Sequence, residues 1–220
     1  MNVSVLIFDF DGVLAESTQV KTEAFRTLYR PYGNEVVEKV TQHHLLHGGI
    51  SRYEKFKHYH SNFLGKHLSQ LELDTLADQF SQLVIDHVVS SPWVPGVRDF
   101  LEEYRGKVPM YIVSGTPENE LKSIVDARQM AHYFDSILGS PTTKPVHIRR
   151  ILHDHEIPSN QAVMFGDAMS DWQATQETET HFIGRHCIDD PTDFPKDTFV
   201  VTDFQNFTLG DYFAANSTNA

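Results

Sequence analysis

A single cysteine, Cys187, in 220 residues excludes a disulfide framework within the chain and suits a reducing compartment. Long apolar runs are also missing: no stretch offers the roughly 20 consecutive apolar residues that cross a bilayer. The opening MNVSVLIFDFDG has no basic flank, and Asp9 and Asp11 interrupt its apolar run, so it does not read as a secretory leader. A soluble cytoplasmic protein is expected. Positive charge is scarce, with 18 Lys and Arg against 30 Asp and Glu and a formal net charge of −12. That balance argues against a nucleic-acid binder or a protein held on an acidic membrane surface.

What is present is enough apolar material, 40% of residues, to bury one large domain or a core with a modest insertion. Short apolar runs recur at residues 3–8, 108–113 (VPMYIV), 162–165 (AVMF), 181–184 (HFIG) and 198–201 (TFVV). Such runs suit strands of a parallel sheet covered on both faces. Helical patterns lie between them, as at 118–127 and 146–155, so a doubly wound parallel α/β sheet is predicted. Residues 16–91 break the alternation, showing helical periodicity without a strand pattern. There, Leu73, Leu76, Phe80, Leu83, Val84 and His87 fall near one helical face. This predicts an α-helical cap over 16–91 hinged to a core made of 1–15 and 92–213, with a frayed tail over 214–220.

Ligands of doubly wound sheets bind beyond the carboxyl ends of the strands, so those ends are where chemistry is sought. The first strand end carries Asp9, Asp11 and Gly12, and the second carries Ser114, Gly115 and Thr116. The loop after residues 136–139 carries Lys144. The 162–165 strand leads to Asp167 and Asp171. Aspartates in a D-x-D pattern are weak evidence alone. A carboxylate pair, a hydroxyl, an ammonium and a second carboxylate pair in this order are strong evidence.

In these four elements the chain resembles the haloacid dehalogenase superfamily, over nearly its whole length. The resemblance makes Asp9 the nucleophile, Asp11 the acid/base, Ser114 the phosphate-binding hydroxyl and Lys144 the basic residue. It makes Asp167 with Asp171 the acidic metal motif, and it adds the Asp11 backbone carbonyl as a metal ligand. The helical insertion resembles the cap of the branch containing phosphoglycolate phosphatases and β-phosphoglucomutases. One departure is Glu16, where that branch usually has Asp before the Ser/Thr, here Ser17.

The residues support the same chemistry. Three or four carboxylates would each repel a phosphate by roughly 1–4 kcal/mol at about 4 Å, so a hard divalent cation with oxygen ligands, Mg2+, is expected at Asp9 and Asp167. Asp171 is expected outside the ligand shell, fixing a bound water or Lys144. Asp9 would attack phosphorus, and Asp11, protonated through crowding by its neighbours, would serve the leaving alcohol. Ser114, Lys144 and backbone N–H groups near Gly12 and Gly115 would hold the phosphoryl oxygens.

Other readings of single residues stand beside these. Ser114 could cap the helix near Glu118, Lys122 is a rival cation to Lys144, and Asp171 could be a first-turn acid. The chain has 13 His, and HHLLH invites zinc at His43 and His47, but no HExxH or third ligand is apparent. The cap segment from His43 to His67 holds four basic residues against Glu54 alone, and Arg52, after Gly48 and Gly49, is expected to contact a second anionic group of the substrate. The expected function is a Mg2+-dependent phosphatase for a small phosphorylated metabolite, a sugar phosphate or a phosphorylated hydroxy acid. A β-phosphoglucomutase-like phosphomutase is the alternative, and a phospho-acceptor signalling domain is the less favoured third reading.

Overall fold

The computed structural model describes residues 3–186 and 194–217. Cys187 and residues 218–220 of the expected frayed tail lie outside them. Six strands form one parallel sheet: β1 (Val5–Phe8), β2 (Met110–Pro117), β3 (Ser136–Ser140), β4 (Ala162–Gly166), β5 (His181–Arg185) and β6 (Val200–Val201). Their order across the sheet is β3-β2-β1-β4-β5-β6. The expected doubly wound α/β fold is borne out. The chain winds outward from β1 through β2 to β3, then returns to the other side of β1 with β4, so the winding reverses between β1 and β4.

Side chains alternate across β1, and both faces are buried. Leu6 and Phe8 belong to one apolar cluster, while Val5 and Ile7 belong to the other. The first cluster is closed by α5 (Val97–Tyr104) through Phe100 and Leu101, α6 (Glu118–Ala127) through Leu121 and Ile124, and α9 (Leu209–Ser217) through Leu209 and Tyr212. The second is closed by α7 (Lys144–Asp154) through Ile148 and Ile151, and by α8 (Met169–Thr178) through Ala174. Full coverage explains why these strands read as unbroken apolar runs. α9 runs to Ser217, so residues 214–217 of the expected tail are helical.

The insertion between β1 and β2 is helical, as expected: α1 (Thr18–Tyr29), α2 (Asn34–Leu46), α3 (Arg52–Phe63) and α4 (Gln70–Ser90). α4 starts in a capping box, in which Ser69 accepts from the Glu72 N–H and Glu72 reaches back to Ser69. It stops where Pro92 follows two residues on. Its buried residues are Leu73, Ala77, Phe80, Val84 and Val88, one stripe at helical spacing. His87, expected on that stripe, is exposed, because the stripe drifts toward Val88 at the last turn. The insertion has its own aromatic centre: the Phe25 ring lies 4.5 Å from Phe80, 5.7 Å from Phe56 and 5.7 Å from Tyr59. Its entry and exit run side by side. The Glu16 N–H donates to Pro92 O at 2.9 Å, and the Val94 N–H to Leu14 O at 3.2 Å.

Candidate active site

β1 and β4 are hydrogen-bonded neighbours in a register that pairs Phe8 with Phe165. Those two rings stack at 4.9 Å and 5°, fixing the strand ends just before their acidic residues. Asp9 and Asp167 therefore emerge together at the point where the winding reverses, where two loops diverge and leave a crevice. Asp9, Asp167 and Asp171 each offer a carboxylate oxygen, all within 4.8 Å of one another. Asp9 is 2% exposed and Asp171 is fully buried.

Lys144, on the first turn of α7, reaches into this cluster. Its ammonium donates to Asp9 Oδ2 at 2.7 Å and pairs with Asp171. One cation does not balance three acids in so dry a place. Burial, then the charges of Asp9 and Asp171, push Asp167 well above the ordinary carboxylate range. Burial pushes Asp171 up to about 7 against the pull of Lys144, with Asp9 adding to the rise. Carboxyls forced toward protonation in a tight oxygen cluster are the donor set a hard divalent cation would deprotonate and hold. The residues fit a metal site. Asp171 also accepts from the Ala168 N–H at 3.2 Å, so it fixes Lys144 and caps its own helix together. The rival cation, Lys122, lies on the solvent side, 2.5 Å from Glu118. Ser114 is buried and does not cap α6: its Oγ accepts from the Thr116 N–H at 3.3 Å, and Pro117 occupies the cap position.

Asp11 turns away from the cluster. It accepts from Ser17 Oγ at 2.6 Å and Thr116 Oγ1 at 3.3 Å, and it pairs with Lys21 of α1. Its expected protonation through crowding does not hold here. Burial alone would raise it, but the Lys21 charge, with hydrogen bonds from Lys21, Ser17 and Thr116, brings it below the ordinary range. Lys21 was not singled out from the sequence. The available signal was its spacing from Ser17, four residues along, which puts both on one face as α1 begins. Lys21 also donates to Thr116 Oγ1 at 2.8 Å, tying cap to core.

Backbone geometry explains two glycines. Gly12 has φ +71°, and a Cβ there would lie 2.0 Å from Asp167 Oδ2. A Cβ on Gly115 would meet Gly49 O at 2.3 Å, so this glycine admits the cap loop. That loop closes on the site, with Ser170 Oγ donating to Gly48 O at 2.8 Å.

Arg52 lines the pocket that also holds Asp9, Asp11 and Asp167, yet the anion its fork meets in this structure is Glu120 of α6. Nη1 donates to Glu120 Oε2 at 2.9 Å and to Ser81 Oγ at 2.7 Å, Nη2 pairs with Oε1, and the guanidinium carbon sits 4.5 Å from the Phe80 ring centre. Glu16 has a long-range partner as well: Arg185 at the end of β5 grips it with Nη1 at 2.9 Å and Nη2 at 2.6 Å, and Nη1 also donates to Gly12 O at 3.1 Å. The longer acid thus braces the loop that carries Asp9 and Asp11. Among the described residues, His43 and His47 belong to no metal-ligand grouping; their ring centres lie 4.2 Å apart in a tilted contact.

Known proteins share this fold. The profile of the haloacid dehalogenase-like hydrolase family matches residues 6–185. A phosphoglycolate phosphatase of Photobacterium profundum is 23% identical over 201 residues, covering 83% of this chain and 82% of its own. Among solved structures, β-phosphoglucomutase from Clostridium difficile superposes with a TM-score of 0.78 at 17% identity, covering 98% of each chain. A predicted phosphoglycolate phosphatase from Haemophilus somnus gives 0.73 at 17% identity, covering 97% of this chain and 99% of its own. A family match running from β1 to β5, on a sheet that brings three acids and a buried lysine together, leaves one conclusion: the chain belongs to the haloacid dehalogenase-like hydrolases.

Proposed function

We propose that the protein is a Mg2+-dependent phosphatase that hydrolyses a small phosphomonoester through an aspartyl-phosphate on Asp9. The observation that carries this is the position of Asp9: its carboxylate lies in the oxygen cluster with Asp167 while Asp11 stands just outside it. Asp9 and Asp167 would hold the ion by their side chains and Asp11 by its carbonyl. Bound there, Mg2+ supplies positive charge that offsets repulsion between these acids and the phosphate.

Asp9 Oδ1 already accepts from the Phe10 N–H at 2.7 Å, which fixes the carboxylate for in-line attack. Lys144 and Ser114, with N–H groups of the Gly12 and Gly115 turns, stabilise the charge that gathers on the phosphoryl oxygens. Asp11, held charged by Lys21, is ready to take a proton from the water that cleaves the phosphoenzyme. For the preceding half-reaction it must carry a proton to the leaving oxygen, and the negative charge of an arriving ester favours its uptake.

Asp9→Asn tests the assignment. With magnesium and a panel of phosphorylated metabolites, release of inorganic phosphate is expected to fall by at least about 1,000-fold. An Asn enzyme that keeps most of its turnover would refute the nucleophile. Likeness to β-phosphoglucomutase supports a second reading, return of the phosphoryl group to a sugar. That reading requires activation by a sugar bisphosphate without net phosphate release.

A further inference from the structure

Glu16 departs from the Asp usual in the branch that the cap resembles, and neither attack by Asp9 nor proton transfer by Asp11 uses it. Its partner, Arg185, is 4% exposed at the carboxyl end of β5. A guanidinium is seldom buried without acceptors for its donors. Here Nη1 and Nη2 meet the two Glu16 oxygens, Nη1 also reaches Gly12 O, and Nε donates to Thr202 O at 3.0 Å. A planar fork fixes direction as well as distance, which a lysine ammonium does not. One side chain thus clamps both ends of the turn that follows Asp11.

Within that turn the Gly12 N–H donates to Ala15 O at 2.8 Å, and Ala15 bridges Asp11 on one side and Trp93 on the other. The next residue after Glu16 is Ser17, at the N-cap of α1, where a serine ordinarily accepts from the first amides of its helix. Ser17 makes no such bond. Its Oγ donates to Asp11 Oδ1 at 2.6 Å instead. The helix start forgoes a cap, and the hydroxyl aims the carboxyl. That aim depends on where Ser17 stands, and Ser17 begins the cap. Lys21, the cation on Asp11, also belongs to α1 and moves with it. Arg185 belongs to the sheet, so its grip on Glu16 ties this end of the cap connector to the core.

We propose that Arg185, acting through Glu16 and the Gly12 carbonyl, is a positioning residue for proton transfer by Asp11: it anchors the turn and Ser17 to the sheet, so the carboxyl keeps its aim when the cap moves. This rests on the phosphatase reading of Asp9 and Asp11. In that reaction the bond from Asp9 to phosphorus forms as the bond from phosphorus to the leaving oxygen breaks, and the Asp11 proton goes to that oxygen. Asp9 is fixed separately, by β1 and by the Phe10 N–H. Loosening the turn therefore spares attack and impairs proton delivery.

The test compares two esters of nearly equal size in the magnesium-loaded protein. p-Nitrophenyl phosphate expels a stable phenolate that needs no proton, whereas p-nitrobenzyl phosphate expels an alkoxide that does. The quantity read is kcat/KM, which covers steps through departure of the leaving group and omits cleavage of the phosphoenzyme. In Arg185→Met the benzyl ester is expected to lose about 30-fold or more and the phenyl ester at most about 3-fold, a positioned acid being worth roughly 100- to 10,000-fold. Arg185→Lys should regain part of the loss. Equal losses on both esters overturn the proposal, because they mark general damage to the site, and so does parental turnover of both. Should Arg185→Met not fold, Glu16→Gln decides: a benzyl-to-phenyl ratio lowered at least about 3-fold supports the proposal, and an unchanged ratio overturns it. Should the parent hydrolyse neither ester, that failure falls on the phosphatase reading, and hydrogen exchange judges the anchor separately. The Gly12 and Glu16 amides, which donate to Ala15 O and Pro92 O, are then expected to exchange at least about 10-fold faster in Glu16→Gln than in the parent, and equal rates overturn the anchor.

Discussion

Gly12 shows how much chemistry can depend on a missing atom. Its left-handed φ costs an L-residue roughly 1–2 kcal/mol, and the space its Cβ would need is filled by the Asp167 carboxylate. Gly12→Ala is expected to lower stability by about 1–3 kcal/mol and, by displacing Asp167, to reduce kcat/KM at least about 100-fold. Thermal melts and phosphate-release kinetics on the same preparation check both. A variant with parental turnover would mean that the position of Asp167 is not critical. Asp11 carries the opposite lesson. Counting neighbouring carboxylates in the motif predicts a raised pKa, whereas a cation from α1 outweighs burial and brings it down. Residue types in a motif are legible in sequence. The charge facing each of them from another element is not.

Between elements, the contact of greatest consequence joins α3 of the cap to α6 of the core. Arg52 and Glu120 stand 68 residues apart, and both side chains are almost fully buried, at 4% and 8% exposure. Such a pair contributes little net stability over an apolar one, but removing one partner strands a charge and costs about 3–5 kcal/mol. If the cap opens to admit substrate, this pair must be broken and remade, and Lys21 must leave Asp11 and Thr116. Glu120→Met is therefore expected to destabilise the closed arrangement by about 3–5 kcal/mol, and the double variant Arg52→Met with Glu120→Met to regain much of it. Urea denaturation checks the cycle. A Glu120→Met protein as stable as its parent would show that the pair is dispensable. Arg52 reads as a substrate ligand from its loop and charge, because a partner on a distant helix leaves no local trace in sequence.

At the scale of the molecule, cap and core respond differently to pH. In the cap, burial leads the causes that lower His43 to about 4, His44 well below its ordinary value, and His47 and His60 in the same direction. The unfolded chain would bind those protons near pH 6.5 and the folded cap would not, so stability is complete above about pH 6.5 and declines as pH falls toward 4. Asp167 and Asp171, both raised, work in the opposite sense in the core. Thermal melts at pH 7.5 and 5.5 in chelator should show a loss at the lower pH that is smaller in His43→Gln. A loss equal to the parent's would show that His43 does not contribute. Among the described residues, no helix is long and apolar enough to cross a membrane.

The sequence by itself determined the parallel sheet and the helical insertion, and it picked out Asp9, Lys144 and Asp167, which the fold brings together, because apolar periodicity and strand-end chemistry are properties of consecutive residues. Strand lengths, the exit of His87 from its expected face and the helical end of the chain depended on packing. Only the tertiary structure decided which charges meet: Lys21 on Asp11, Glu120 on Arg52, Arg185 on Glu16 and His44 beside Lys55. The first and last join residues 10 and 11 positions apart, yet the partners sit on different elements, so spacing alone does not pair them. The others join residues 68 and 169 positions apart, where Coulomb attraction acts only once the sheet and cap have brought them within reach.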